Sequence, residues 1–149
     1  MKKDSIAFID NIILDDISTE NIFNNLEFSS TGTKRICLHE NDLSSLHVML
    51  IEISTNTSYP PHSHKDGDEY FFLIYGEIDL LIWLNGKESD PIKFNINSYN
   101  SINKIVKIPK NTIHMTIPKT KSRYLEIKPG PFDKSNMIFH KITNLSNFL

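Results

Sequence analysis

The sequence predicts a mainly β protein, a barrel or sandwich of short strands preceded by a short, partly helical N-terminal extension. From Arg35 onward, runs of branched and aromatic residues recur, and Asn, Gly or Pro residues separate them. A helical bundle would require long runs with a 3.6-residue apolar period, and this region has none. Many short strands between turn residues are typical of all-β barrels and sandwiches.

The strands can be placed one by one. Pro60 and Pro61 indicate an extended backbone, because proline biases the preceding residue away from helix. Gly76 separates two apolar runs, and Asn85-Gly86 predicts a two-residue hairpin turn after the second of them. The candidate strands are residues 46–53, 70–75, 78–84, 92–96, 102–108, 112–117 and 123–128.

The N-terminal part mixes apolar and acidic residues at spacings of three and four. This pattern predicts one or two short helices within residues 4–28, with a break at residues 18–21, although Ile12-Ile13-Leu14 fits a strand equally well. We therefore divide the chain into an extension (1–32) that is helical in part, a β-barrel (33–133) and a C-terminal tail (134–149) that packs on the barrel.

The bulk composition describes an ordinary globular protein and excludes some function classes. A length of 149 residues with 39% apolar and 23% charged residues fits one domain with a real core. A net charge of −2 argues against nucleic-acid or anionic-membrane partners. The single cysteine, Cys37, cannot form an internal disulfide and is expected to be a buried thiol. With acids at Asp4 and Asp10 and no long apolar run, the N-terminus does not resemble a signal peptide, so we expect a cytoplasmic protein.

A cluster of metal-binding residue types lies between Pro61 and Gly76. His62 and His64 are two positions apart, so on an extended chain both imidazoles lie on one face. Glu69 follows after a short polar turn, and a fourth donor, His114, comes much later in the chain. Imidazoles and a carboxylate suit one divalent transition metal ion, and Fe, Mn, Zn, Ni, Co or Cu all fit such a donor set.

The spacing of these residues resembles the two motifs of the cupin superfamily. The first motif is matched by His62, His64, Glu69 and Gly76, and the second by Pro109 and His114. This resemblance implies a double-stranded β-helix, or jelly-roll, barrel in which the three histidines and the glutamate hold the metal. The chain departs from the pattern at three positions that are not ligand positions, namely Asn56, Asn111 and Pro118.

Further segments resemble the WbuC family of small cupin metalloproteins. These are Arg35-Ile-Cys-Leu-His39, His47-Val-Met-Leu50, Tyr59 to His64, and Leu125 to Phe132, within a similarity that covers roughly residues 33–133. Genes of this family often lie among those for O-antigen or other surface polysaccharides. The resemblance therefore implies a small polar substrate, a sugar or sugar nucleotide.

Several other residues are candidates for the site. Glu126 is a candidate acid or base if its strand turns it inward, and only a solvated surface group if it faces outward. Tyr59 could line the mouth of the site or pack structurally. Three basic residues, Arg35, His39 and His47, could contact an anionic group of a ligand or serve paired structural roles.

Two further predictions concern residues outside the site. We expect His140 to lie on the surface without a role. We expect an aromatic and aliphatic group to fill the core, consisting of Phe71, Phe72, Leu73 and Trp83.

The leading functional hypothesis is a metal-dependent enzyme that isomerises or epimerises a sugar or sugar nucleotide. An iron-dependent dioxygenase and a non-catalytic, metal-dependent binding module are the alternatives. Three His and one Glu leave one or two coordination positions open, as catalysis requires. The resemblance also implies a homodimer, because small cupins often dimerise by pairing edge strands.

Overall fold

The computed structural model describes residues 4–10, 13–57, 59–99 and 105–149. Its regular elements in this part of the chain are one helix, α1 (Asp16–Asn25), and eleven strands, with short 3-10 turns at Lys134–Asn136 and Leu145–Asn147. The strands are β1 (Ile6–Phe8), β2 (Thr33–Cys37), β3 (Leu46–Ile53), β4 (His62–His64), β5 (Glu69–Tyr75), β6 (Glu77–Trp83), β7 (Ile92–Asn97), β8 (Ile105–Ile108), β9 (Ile113–Pro118), β10 (Ser122–Pro129) and β11 (Met137–Phe139).

The strands form two sheets, which confirms the mainly β prediction. One sheet has the order β1-β2-β3-β10-β5-β8 and the other the order β11-β4-β9-β6-β7. Only β1 pairs in parallel, with β2, and the other described pairs are antiparallel. All seven candidate strands are present with slightly different ends, but residues 102–104 of the fifth lie outside the described part of the chain.

The hairpin between β6 and β7 is longer than predicted. Ile82 pairs with Ile92, so residues 84–91 form the connection between the two strands. The prediction of a two-residue turn at Asn85-Gly86 is therefore wrong. Gly86 does have a positive φ of 85°. The Ser89 amide and hydroxyl both donate to the Gly86 carbonyl, which builds a second turn into the loop.

The N-terminal part contains one uninterrupted helix, so the predicted break at residues 18–21 is wrong. Asp15 caps α1 by accepting a hydrogen bond from the Ser18 amide at 2.7 Å, as an N-cap residue does. The polar residues that suggested a break therefore belong to the first turns of the helix. Of the alternative strand, Ile12 is outside the described residues and Ile13-Leu14 is not in a strand.

The main apolar core lies between the two sheets. Its buried residues are Cys37, Met49, Ile51, Ile53, Phe71, Leu73, Ile78, Leu80, Ile96 and Ile108. Two of the predicted core residues do not belong to this cluster. Phe72 is 41% exposed and faces away from the interior, so the core prediction is wrong for it. Trp83 is buried in a separate cluster with Leu81, Ile113 and Ile142.

The central strand β10 presents different chemistry on its two faces. It lies between β3 and β5, and its residues Tyr124, Glu126 and Lys128 point toward the barrel interior. On the outer face, the Arg123 guanidinium donates to Glu52 and Glu20 at 2.6 Å each. Arg123 thereby connects β10 to β3 and to helix α1.

The termini pack on opposite parts of the barrel. Phe23 of α1 and Leu26, the residue that follows the helix, pack against Ile36 and Leu50 of the first sheet. Near the C-terminus, Ile142, Leu145 and Phe148 pack with Trp83 on the second sheet. The division into segments 1–32, 33–133 and 134–149 stays a prediction. Among the described residues, no helix combines the length and apolar content that crossing a membrane would require.

Candidate metal centre

The structure brings the four predicted donors together. His62 and His64 lie on β4, Glu69 begins β5, and His114 lies on β9, where it pairs directly with His62. One donor atom from each of the four residues lies within 4.8 Å of the other three. All four side chains are buried, so the cluster is enclosed by protein.

Strand geometry and one unusual turn position these residues. The two-residue period of β4 places both of its imidazoles on the interior face. Before β9, Asn111 has a φ of 61°, a left-handed conformation that asparagine tolerates better than most residues. The Asn111 amide donates to the His64 carbonyl at 2.7 Å, so this turn ties the two motifs together.

Backbone hydrogen bonds orient two of the imidazoles. His62 Nδ1 lies 3.0 Å from the Pro60 carbonyl oxygen, and His114 Nδ1 lies 3.0 Å from that of Thr112. A carbonyl oxygen only accepts, so in each ring Nδ1 carries the proton and donates it. The Nε2 atoms then keep their lone pairs, which is the usual second-shell arrangement around a metal-binding histidine.

Unsatisfied buried atoms converge at the centre of the cluster. Glu69 Oε2 lies 3.0 Å from His64 Nε2 and 3.3 Å from His114 Nε2. Yet neither Glu69 Oε2 nor His64 Nε2 has a well-formed hydrogen bond to any described residue. Leaving such atoms unpaired is costly. A cation bound between them would satisfy both.

The electrostatics favour a neutral imidazole and an ionised carboxylate at this centre. Burial, helped by the nearby His114, lowers the pKa of His62 to about 3. Burial alone would raise the pKa of Glu69, but the close approach of the His114 and His64 imidazoles holds it well below its usual value. For His114, burial acts to lower the pKa. The interactions with Glu69 have the opposite and larger effect, so the pKa of His114 is raised.

The donor geometry fits a transition metal ion. Metal–nitrogen and metal–oxygen bonds of about 2.1 Å place opposite ligand atoms about 4.2 Å apart. The four donor atoms lie within 4.8 Å of one another, so a contraction of a few tenths of an ångström suffices. Three imidazoles and one carboxylate suit first-row divalent ions but do not select among them.

The cluster faces a cavity of about 70 Å³ inside the barrel. The walls carry Arg35, Tyr59, Tyr124, Glu126 and Lys128. Glu126 is buried and points inward, which answers the question that its strand position left open. Lys128 Nζ lies 3.3 Å from Glu126 Oε1. The cavity therefore combines the donor cluster with a second set of ionisable groups.

Burial strongly affects these wall residues. It raises the pKa of Glu126, and although Lys128 opposes the shift, the charge of Glu69 adds to it. Burial also raises the pKa of Tyr124 well above the usual phenol value, so this side chain is a neutral phenol. For Lys128, burial acts to lower the pKa. The carboxylates of Glu126 and Glu69 have the opposite and larger effect, so the pKa of Lys128 is raised. Lys128 is therefore a cation.

The other candidate residues lie in different places. Tyr59 lines the cavity, packs edge-on against His62, and donates its hydroxyl to the Met137 sulfur at 3.4 Å. Neither His39 nor His47 is among the described residues that line this cavity, so the structure does not bring these two predicted ligand contacts to the site. Instead their rings stack 4.0 Å apart, and both are buried.

His140 was predicted to be a surface residue without a role, and this prediction of its position is wrong. It is half-buried, and its Nε2 lies 2.9 Å from the Ser63 hydroxyl, on the residue between the two β4 histidines. Two residues of the site, Tyr124 and Lys128, were not proposed as functional from the sequence. The signal was available, since both share the alternation of Glu126 along β10 and follow it into the cavity.

Solved structures with a similar fold identify the architecture. A cupin-2 domain protein from Shewanella frigidimarina superposes with a TM-score of 0.57 at 16% sequence identity, over 79% of this chain and 95% of that one. The chain has a cupin-type jelly-roll fold. KdgF from Halomonas sp. gives a TM-score of 0.54 at 14% identity, over 73% of this chain and 89% of that one.

A longer protein also contains this fold. Oxalate decarboxylase from Lactobacillus farciminis gives a TM-score of 0.50 at 16% identity, over 71% of this chain but only 32% of that one. At such low identities the similarity concerns the fold alone. The predicted fold class is confirmed.

Sequence comparison adds little on function. A family model described as a domain of unknown function (DUF6016) matches residues 22–90. No curated protein is significantly similar to the chain.

Proposed function

We propose that His62, His64, Glu69 and His114 bind one divalent transition metal ion, and that the chain is an enzyme acting on a small polar molecule. The observation that carries this proposal is the convergence of four buried donor atoms within 4.8 Å beside a cavity. A buried carboxylate and three buried imidazoles, with Glu69 Oε2 and His64 Nε2 lacking hydrogen-bond partners, are difficult to explain by stability alone, because such burial destabilises a fold.

The chemistry we propose is isomerisation or epimerisation. A bound divalent ion supplies Lewis-acid polarisation of a carbonyl or hydroxyl group. Glu126 is then the candidate acid or base, because its buried carboxyl group faces the cavity and burial raises its pKa, so that it can exchange a proton with the substrate. Tyr59 and the neutral Tyr124 phenol face the same cavity and orient the substrate by hydrogen bonding.

The substrate we propose is a sugar or sugar nucleotide of surface-polysaccharide synthesis. This part rests on the resemblance of residues 33–133 to the WbuC family and on the polar side chains among those that line the cavity. The proposal includes a cytoplasmic location and a homodimer. Exposed apolar residues on β5 support the dimer, namely Tyr70, Phe72 and Ile74.

Elemental analysis of purified protein tests the metal site. We expect about one equivalent of a divalent transition metal in the unmodified protein, and loss of most of it in His62→Ala and Glu69→Gln. The matched control is Glu88→Gln, at a side chain that is 80% exposed. If the first two variants retain metal as well as this control does, the site is misassigned.

Solvent deuterium exchange tests the chemistry. Metal-loaded protein should catalyse exchange of a carbon-bound proton in a reactive sugar or sugar nucleotide, detected by NMR. Glu126→Gln should lose this exchange and keep its metal. Oxygen consumption with bound Fe(II) would instead indicate a dioxygenase. Ligand-induced thermal stabilisation with neither exchange nor oxygen uptake would indicate a binding module and would refute catalysis.

A further inference from the structure

Two cationic side chains line the cavity beside the donor cluster. Arg35 lies on β2, opposite the interior residue Ile51 of β3, and Lys128 lies near the end of β10. Both belong to the wall that also contains His64 and Glu69. The barrel therefore directs an arginine and a lysine toward one cavity.

These two cations retain donors that protein groups do not use. The ion-pair partner of Lys128 in the described part of the chain is Glu126, at 3.3 Å, while an ammonium group has three donors. Arg35 forms no side-chain ion pair with any described residue. Its guanidinium has five donors in a planar fork that matches a carboxylate.

The charge balance of the cavity favours an anionic ligand. Arg35 and Lys128 contribute two positive charges to the wall, and the ionised forms of Glu69 and Glu126 contribute two negative charges. A divalent ion at the donor cluster adds two positive charges that no described wall residue compensates. In a partly buried site, where charges are screened less than in bulk water, such an excess attracts an anion.

The size of the cavity restricts what this anion can be. One water molecule needs about 10–15 Å³ of cavity volume, measured in the same way as the volume of this cavity. The 70 Å³ of this cavity therefore accommodates the equivalent of about five to seven waters, or a compound of similar heavy-atom count. A sugar nucleotide does not fit inside as a whole, and a larger substrate would place only one end there.

We propose that Arg35 and Lys128 bind the carboxylate of a compact α-hydroxy or α-oxo acid, or of the acidic end of a larger substrate. The α-oxygen and one carboxylate oxygen can approach the metal together through a five-membered chelate, which leaves the second carboxylate oxygen for the two cations. This inference rests on the metal centre proposed above and narrows its substrate from sugars in general to carboxylic acids.

Calorimetric titration of the metal-loaded, full-length protein tests the proposal without any mutation. Glycolate and glycolamide have the same number of heavy atoms and the same α-hydroxyl, but only glycolate carries a charge. We expect glycolate to bind at least about tenfold more tightly, as a charge-assisted hydrogen bond would give. Equal binding of the two compounds overturns the inference, and so does inorganic phosphate binding more tightly than glycolate.

Variants then assign the cations. Lys128→Met and Arg35→Met should each weaken glycolate binding at least about tenfold while leaving metal content and glycolamide binding unchanged. Lys141→Met, at an exposed lysine outside the cavity, is the matched control and should bind glycolate normally. Unmodified protein that takes up no metal refutes the proposed metal centre. Metal-loaded protein that does not prefer glycolate refutes only the carboxylate site.

Discussion

Arg123, on the outer face of β10, forms ion pairs with the buried Glu52 and the more exposed Glu20. We expect Arg123→Met to destabilise the fold strongly. Its guanidinium donates to Glu52 and Glu20, and it also packs over the Phe23 ring, 4.3 Å from its centre. Glu52 is 1% exposed. Without Arg123, this carboxylate loses its shortest ion pair.

The magnitude follows from what remains around Glu52. Removing one partner of a buried ion pair costs about 3–5 kcal/mol. The Tyr75 hydroxyl at 3.0 Å and Lys121 at 3.3 Å still contact the carboxylate, so we expect the lower end, about 3 kcal/mol. Glu20 is 53% exposed, and its interaction contributes less than about 1 kcal/mol. For a chain of this length the loss corresponds to a decrease in Tm of roughly 6–12 °C.

Urea unfolding followed by the fluorescence of the buried Trp83 measures this loss. Glu20→Gln, at the exposed partner, is the matched control and should remain within about 1 kcal/mol of the unmodified protein. The double variant Glu52→Gln with Arg123→Met should be more stable than Arg123→Met alone, because no buried charge is left unpaired. A loss below about 1 kcal/mol for Arg123→Met, or a double variant no more stable than the single one, would refute the reasoning.

Three further predictions concern stability and can be checked by urea unfolding. Burial acts to raise the pKa of Glu52, but the hydrogen bonds from Arg123 and Tyr75 have a larger effect, so the pKa of Glu52 is lowered. Its contribution to the free energy of unfolding should therefore be complete above a pH of about 4.3, decline as the pH falls through the lowered pKa, and be smaller in Arg123→Met. Asn111→Ala should cost about 1 kcal/mol and Asn111→Gly almost nothing, because alanine tolerates the φ of 61° poorly; equal losses would contradict this. Leu73→Ala, at a fully buried side chain, should cost about 2–5 kcal/mol, and Ile74→Ala, 43% exposed, less than about 1 kcal/mol.

The donor cluster was predictable because much of its geometry is local. Histidines two positions apart on a strand share a face in any β structure, so His62 and His64 required no knowledge of the fold. The position of His114 depended on the resemblance to cupin motifs, because nothing in the local sequence pairs β9 with β4. The orientation of Glu126 was undecidable from its own strand, where polar and apolar residues do not separate cleanly between the two faces.

The other wrong or absent predictions have equally specific causes. The strand β5 is apolar on both faces, so no alternation distinguishes the buried Phe71 and Leu73 from the exposed Phe72. In the N-terminal part, the capping side chain of Asp15 lies before the polar residues that suggested a break. The strand β1 has three residues and is stabilised by pairing with β2, a contact that short-range patterns do not reveal.

The two-sided chemistry of β10 makes the function of the protein sensitive to strand register. Inward side chains of this strand line the cavity, while outward Arg123 holds helix α1 through Glu20. A deletion of one residue before β10 would exchange the two faces, sending Leu125 and Ile127 toward the donor cluster and the ionisable groups outward. Length changes in the short turn between β9 and β10 should therefore abolish ligand binding and helix docking together, whereas the longer loop between β6 and β7 should tolerate them.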